Sequence, residues 1–214
     1  MRPASLLVSA ALAATLFVMP AALSVRAVAQ ERTEVHNTAP LHPPAGARVA
    51  IVEFGDLECP DCARANPLLK AAAEQYKIPW LRHDFPLPQH DWSFQAAVNA
   101  RWFDTKAKKT GDEYRDAVFA SQSSITSLDV LRQFTEKFAA NHKLSLPFAM
   151  DPQGTLTAAV KADYALGQRI GIEHTPTIWV TTRQSKGAPF VEVVDRTRLF
   201  QLIDQALADT RASK

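Results

Sequence analysis

The apolar, β-rich run RVAIVEF, Arg48 to Phe54, leads almost directly into Cys-Pro-Asp-Cys at Cys59–Cys62, and the chain has no other cysteine. Such a run reads as a buried strand. The residues that follow, CARANPLLKAAAEQY, read as a helix from about Cys59 to Tyr76. Leu68, Leu69 and Ala72 are its candidate core positions, and Pro67 is expected to kink it. Both cysteines therefore sit at a strand-to-helix junction. Helix N-terminal amides and the helix dipole stabilise a thiolate on Cys59 there. Cys62, one turn further in, is expected to be more buried. An exposed attacker and a sheltered resolver is the arrangement that thiol–disulfide exchange needs.

Other uses of the pair fit less well. A disulfide stabilises largely by restricting the unfolded chain, and the effect grows with loop length. The Cys59–Cys62 loop restricts almost nothing. Zinc takes about four ligands, and no second cysteine pair exists to complete such a site. Redox chemistry is the reading that remains, with no metal and no cofactor called for.

The segment before the strand has a different character. Arg2 is followed by an apolar run from Leu6 to Leu23, and RAVAQE offers Ala27 and Ala29 as the small pair of a cleavage site. Residues 1–29 are read as a signal peptide cleaved after Ala29. The alternative is a retained anchor helix, since the run approaches membrane-spanning length; Pro20 and the alanine content weigh against it. No cysteine lies near the cleavage site, which excludes a lipoprotein. Without this segment Lys+Arg falls from 24 to 22 through the loss of Arg2 and Arg26, against 22 Asp+Glu. A balanced charge gives no electrostatic case for nucleic acid or an anionic membrane. Export places the chain where disulfides persist, so a periplasmic or otherwise exported location is expected.

Gln30 to Gly46, containing APLHPPAG, reads as an extended, Pro-rich arm. A second strand, Ile78 to Leu87, ends at Pro86. Four helical patterns follow. Their inward residues are Phe94, Val98 and Trp102; then Tyr114, Val118 and Phe119; then Leu131, Phe134 and Phe138; then Leu156, Val160 and Tyr164. Strands return at Thr175–Thr182 and Pro189–Asp195. A last helix, TRLFQLIDQALAD, turns Leu199, Leu202, Ile203 and Ala206 inward. The order is β-α-β, a helical block, then α-β-β-α.

VEFGDLECPDC, RHDFPLPQH and GIEHTPTIWV, in that order, resemble the DsbA-like thiol–disulfide oxidoreductases of the thioredoxin superfamily. The resemblance runs from about Ala45 to Ala208. It implies an α/β thioredoxin fold with an inserted helical domain. Residues 47–87 would form the first half of the core and 88–150 the helical insertion. Residues 151–214 would supply the remaining helical segment and the second half. It also implies a cis bond before Pro176, with that loop packed against the cysteines. Pro60, Asp61, His174, Thr175 and Pro176 are then expected to meet substrate, the Thr175 backbone by strand addition. Glu53 matches a buried acid thought to relay protons to the resolving cysteine. An acid in a buried strand needs a partner or a raised pKa.

Two departures from the family pattern stand out. Asp61 lies between the cysteines where strong oxidants of the family carry histidine, and Glu58 and Asp56 add negative charge. Their repulsion of a thiolate leads to the expectation of a higher Cys59 pKa than in a Cys-Pro-His-Cys oxidant, and so of a less oxidising disulfide. His174 stands where the branch often has glycine, and is a candidate cation near the thiolate. The function expected is dithiol oxidation of cysteine-containing exported client proteins by a monomer that a membrane redox partner reoxidises. Reduction or isomerisation is the alternative. A non-catalytic binding module or metal chaperone on the same fold is the reading from another class.

Overall fold

The structure is a computed structural model and describes residues 41–183 and 190–211. The proposed signal peptide, its cleavage after Ala29 and the first part of the arm lie outside these residues. Four strands form one sheet in the order β2-β1-β3-β4, where β1 is Val49–Gly55, β2 Trp80–Asp84, β3 Thr177–Thr182 and β4 Phe190–Glu192. β1 pairs parallel with β2 and antiparallel with β3, which pairs antiparallel with β4. β2 is shorter than the run from Ile78 to Leu87 suggested. Pro79 and Pro86 flank it and carry no N–H, so the ladder closes just past the strand, where Phe85 N–H donates to the Gly55 carbonyl.

The sheet's two faces follow from the alternation of side chains along β1 and β3. On one face Val49, Ile51, Ile178 and Val180 pack against Ala65, Leu69 and Ala72 of α1 (Pro60–Tyr76). Leu199, Ile203 and Ala206 of the last helix, α6 (Leu199–Arg211), pack there too. Pro67 lies within α1, which continues past it to Tyr76. On the other face Val52, Phe54 and Trp179 pack with Phe85 and Ile170, the final residue of α5 (Thr155–Ile170). A Cβ on Gly167 of α5 would stand 2.5 Å from the Phe85 ring, so only glycine allows that approach.

Between β2 and α5 the chain forms α2 (Ser93–Asp104), α3 (Lys108–Ser121) and α4 (Leu128–Asn141). These helices have a core of their own around Trp102, Phe103, Tyr114, Val118, Leu131 and Phe138. Phe94, Phe119, Phe134 and Tyr164 are half-buried, at the margins of the packed clusters. The helical block is clamped onto α1: Asp116 accepts hydrogen bonds from Asn66 at 2.8 Å and from Lys70 at 2.6 Å. Among the described residues no helix is long and apolar enough to cross a membrane.

Candidate active site

β1 ends at Gly55, and a tight loop turns the chain into α1. Asp56 organises that loop. Its carboxylate accepts from the Glu58 amide at 2.7 Å, the Leu87 amide at 2.6 Å and His90 Nδ1 at 2.8 Å. Glu58 in turn accepts from the Trp92 amide at 2.8 Å. The two acids thus use their charge on backbone donors and a histidine of the loop. Gln122, just past α3, donates to the carbonyls of Leu57 and Cys59 at 2.7 and 3.1 Å, so the helical block also braces the active-site loop.

Cys59 is the N-cap of α1 and Pro60 its first helical residue, where the missing N–H costs nothing. Both cysteines are free and buried in this structure, Cys59 at 7% exposure and Cys62 at 0%, so the attacker expected to be exposed is instead largely covered where the cis-proline loop lies on it. The Cys59 thiol is held down to about 5. The hydrogen bond from the Cys62 thiol is the largest cause; Thr175 and the amides of Cys62 and Asp61 add to it against the effect of burial. That value lies between the roughly 3.5 of DsbA and roughly 7 of thioredoxin. Cys62 is fully buried, and burial pushes its thiol well above the ordinary range, helped by the hydrogen bond to Cys59 and by Glu53. The Asp56 amide donates to Cys62 Sγ at 3.4 Å.

The Thr175–Pro176 bond is cis. Its loop lies on the cysteines: the Cys59 thiol donates to the Thr175 carbonyl at 3.3 Å. The Thr175 hydroxyl is buried in this loop, and Thr175 favours the Cys59 thiolate. His174 is exposed at the outer end of this loop, its carbonyl accepting from the Thr177 hydroxyl at 2.7 Å. Pro60 is exposed beside Cys59.

Glu53 is buried in the middle of β1, paired with Arg82 and Ile178 in the ladder. It accepts from Trp80 Nε1 at 2.9 Å. Burial raises its carboxyl to about 7, although Arg82 and the Trp80 hydrogen bond oppose the shift. The Arg82 guanidinium stacks 3.6 Å over the Trp80 ring.

Asp61 does not stand as a free charge. Its Oδ1 accepts from Arg196 at 2.7 Å and from Arg64 at 3.0 and 3.2 Å. These arginines hold its carboxyl below the usual range despite partial burial. Asp61 and Glu58 thus each face donors, partners that temper the repulsion of the Cys59 thiolate expected from the sequence. The sequence pattern singled out neither Arg64, Arg196, Gln122 nor Arg82. Only Arg64, one turn along α1 from Asp61, carried a local signal for its contact.

A family model described as Thioredoxin matches residues 44–197. Solved structures share the fold. The thiol-disulfide exchange protein α-DsbA2 from Wolbachia pipientis aligns with a TM-score of 0.60 at 17% identity, covering 77% of this chain and 84% of that one. Pseudomonas aeruginosa DsbA2 aligns with a TM-score of 0.57 at 22% identity, covering 78% and 93%. Proteus mirabilis ScsC aligns with a TM-score of 0.58 at 22% identity, covering 78% and 71%. A curated relative, named Na(+)/H(+) antiporter NhaA 1 of Salinispora arenicola (strain CNS-205), is 26% identical over 174 residues. The match takes in 78% of this chain, which spans about a quarter (24%) of that relative's length. The family model spans both cysteines and cis-Pro176, and the DsbA structures overlay most of the chain: this protein belongs to the thioredoxin family and has its DsbA-like fold.

Proposed function

We propose that the protein is an exported thiol–disulfide oxidoreductase whose Cys59–Cys62 pair oxidises cysteine pairs in client proteins. The observation that carries this reading is the opposite treatment of the two sulfurs. Cys59, at the helix N-terminus under the cis-proline loop, is held ionised near neutral pH. Cys62, buried one turn along, is held as a thiol. The W. pipientis protein of the same fold is named for the same chemistry, thiol-disulfide exchange.

In the oxidising direction a client thiolate attacks Cys59 Sγ of the Cys59–Cys62 disulfide. The sulfur–sulfur bond breaks, and its electron pair leaves on Cys62. A mixed disulfide joins the client to Cys59. The new Cys62 thiolate is costly in its buried site and takes up a proton; Glu53, whose carboxyl titrates near neutral pH, is the acid placed behind it. The client's second thiolate then attacks the client sulfur of the mixed disulfide, and Cys59 leaves as a stabilised thiolate. The client has lost two electrons and the enzyme gained them, so a membrane redox partner must take them up. Thr175, Pro176 and His174 form the loop against which an extended client segment lies, with Pro60 and Asp61 on the other side of Cys59.

Trapping tests this. In the Cys62→Ala variant the Cys59 thiolate still attacks a client disulfide and expels one client thiolate, but no Cys62 is present to release the bound sulfur, so disulfide-linked clients accumulate on Cys59; with Cys59→Ala they do not. A wild-type protein that neither oxidises a dithiol peptide nor reduces insulin, and whose Cys62→Ala form traps nothing, would refute the reading. Copper or zinc retained through dialysis would favour a metal chaperone instead.

A further inference from the structure

The residue between the cysteines is gripped from the far half of the chain. Arg196 lies in a short 3-10 turn, Arg196–Arg198, between β4 and α6. Asp195 caps that turn, accepting from the Thr197 amide at 3.0 Å and the Thr197 hydroxyl at 2.6 Å. From this fixed base Arg196 reaches Asp61 twice: Nη1 donates to the Asp61 carbonyl at 3.1 Å and Nη2 to the carboxylate at 2.7 Å. Arg64 adds two hydrogen bonds to the same carboxylate oxygen. Two cations therefore surround the Asp61 carboxylate, while Asp56 and Glu58 of the preceding loop are occupied by backbone amides and His90.

We propose that Arg196 is a positioning residue for the thiol chemistry: it latches Asp61 so that the segment between the cysteines presents a charge-paired carboxylate and a fixed backbone amide to Cys59, and so sets how readily Cys59 ionises. This rests on Cys59 being the reactive sulfur of the proposed oxidoreductase. The Asp61 amide is among the groups that favour the Cys59 thiolate. A side chain that holds Asp61 by both carbonyl and carboxylate keeps that amide in place. The same cation offsets the aspartate charge, which alone would repel a thiolate. Arginine suits both tasks, because its planar fork donates along two directions at once. The chain thus carries an acid within its motif without the full penalty of an acid there.

The test is the thiolate absorbance of Cys59 in the reduced protein, titrated from pH 3 to pH 9. It reads ionisation whether or not the protein exchanges disulfides, so it can fail or succeed independently of the proposed function. Arg196→Met should raise the Cys59 midpoint by about one unit, a roughly fivefold loss of thiolate at pH 5. Arg196→Lys keeps the charge without the two-way grip and should recover part of the shift, which a merely space-filling role would not. Arg64→Met, at a side chain 68% exposed, does not threaten the fold and should move the midpoint the same way by less. Unchanged midpoints in both methionine variants would overturn the proposal. So would an Arg196→Lys variant that titrates like Arg196→Met.

Discussion

Cys59 and Cys62 share a helix and lie one turn apart, yet their surroundings push them in opposite directions. Cys59 has the amides at the start of α1 and the Cys62 thiol as donor, and its neighbour Asp61 is paired with two arginines. Cys62 has no exposure at all and the acid Glu53 behind it. The difference shows that reactivity here depends on where each sulfur meets the sheet and the helix end, since the residue type is the same. In the proposed mechanism it also separates an outer face that handles the client sulfur from an inner face that handles the proton.

The largest break in that comparison comes from removing either sulfur. Cys59→Ser should abolish dithiol oxidation, and Cys62→Ala should leave a stable mixed disulfide visible on a non-reducing gel. Cys62→Ala should also raise the Cys59 midpoint, since the Cys62 thiol is the largest cause of its depression. A Cys59 midpoint unmoved in Cys62→Ala would show that the two sulfurs are not coupled.

The pH dependence of stability sharpens the contrast. Cys59 is depressed to about 5, so its contribution is fully present above the unfolded value of 9.0 and is lost as pH falls through 5. Glu53 is raised from 4.5 to about 7, so its contribution is present below 4.5 and is lost as pH rises through 7. Between pH 5 and 7 the two slopes have opposite signs in the reduced protein. Glu53→Gln should remove the falling slope and leave the variant more stable than wild type above pH 7, by up to about 3 kcal/mol. Cys59→Ser should remove the rising slope. Urea midpoints across this range read both, and parallel profiles for the two variants would break the comparison. Glu53→Gln should also slow exchange near neutral pH, where its carboxyl titrates.

A smaller effect is expected at the brace. Gln122→Ala removes the hydrogen bonds to the Leu57 and Cys59 carbonyls and should lower stability by about 1–2 kcal/mol. Unaltered stability would mean that the helical block does not support the loop.

The parts of this site legible in the sequence are local. The strand leading into Cys-Pro-Asp-Cys places Cys59 at a helix start and Cys62 a turn inside, because strand and helix periodicities meet there. The cis bond at Pro176 follows from the family resemblance, since nothing in Thr175-Pro176 alone distinguishes it. The helical block is readable from spacing, although half-buried Phe94, Phe119 and Phe134 show that periodicity finds a face without finding its depth. What pairs across the fold is hidden. Arg196 lies far from Asp61 in sequence, and only the β4–α6 turn brings them together. Gln122 reaches the active-site loop from the helical block. For that reason sequence alone leaves the charge on Asp61 free, and the thiolate opposed by it.

The opposite treatment of the two sulfurs is tested most directly by thiolate titration of the reduced wild-type protein, followed by its ultraviolet absorbance. One step is predicted, with the amplitude of a single thiolate and a midpoint near 5, and with Cys62 still a thiol at the alkaline end. A midpoint near the free-thiol value of about 8.5, or two thiolates appearing together, would contradict it.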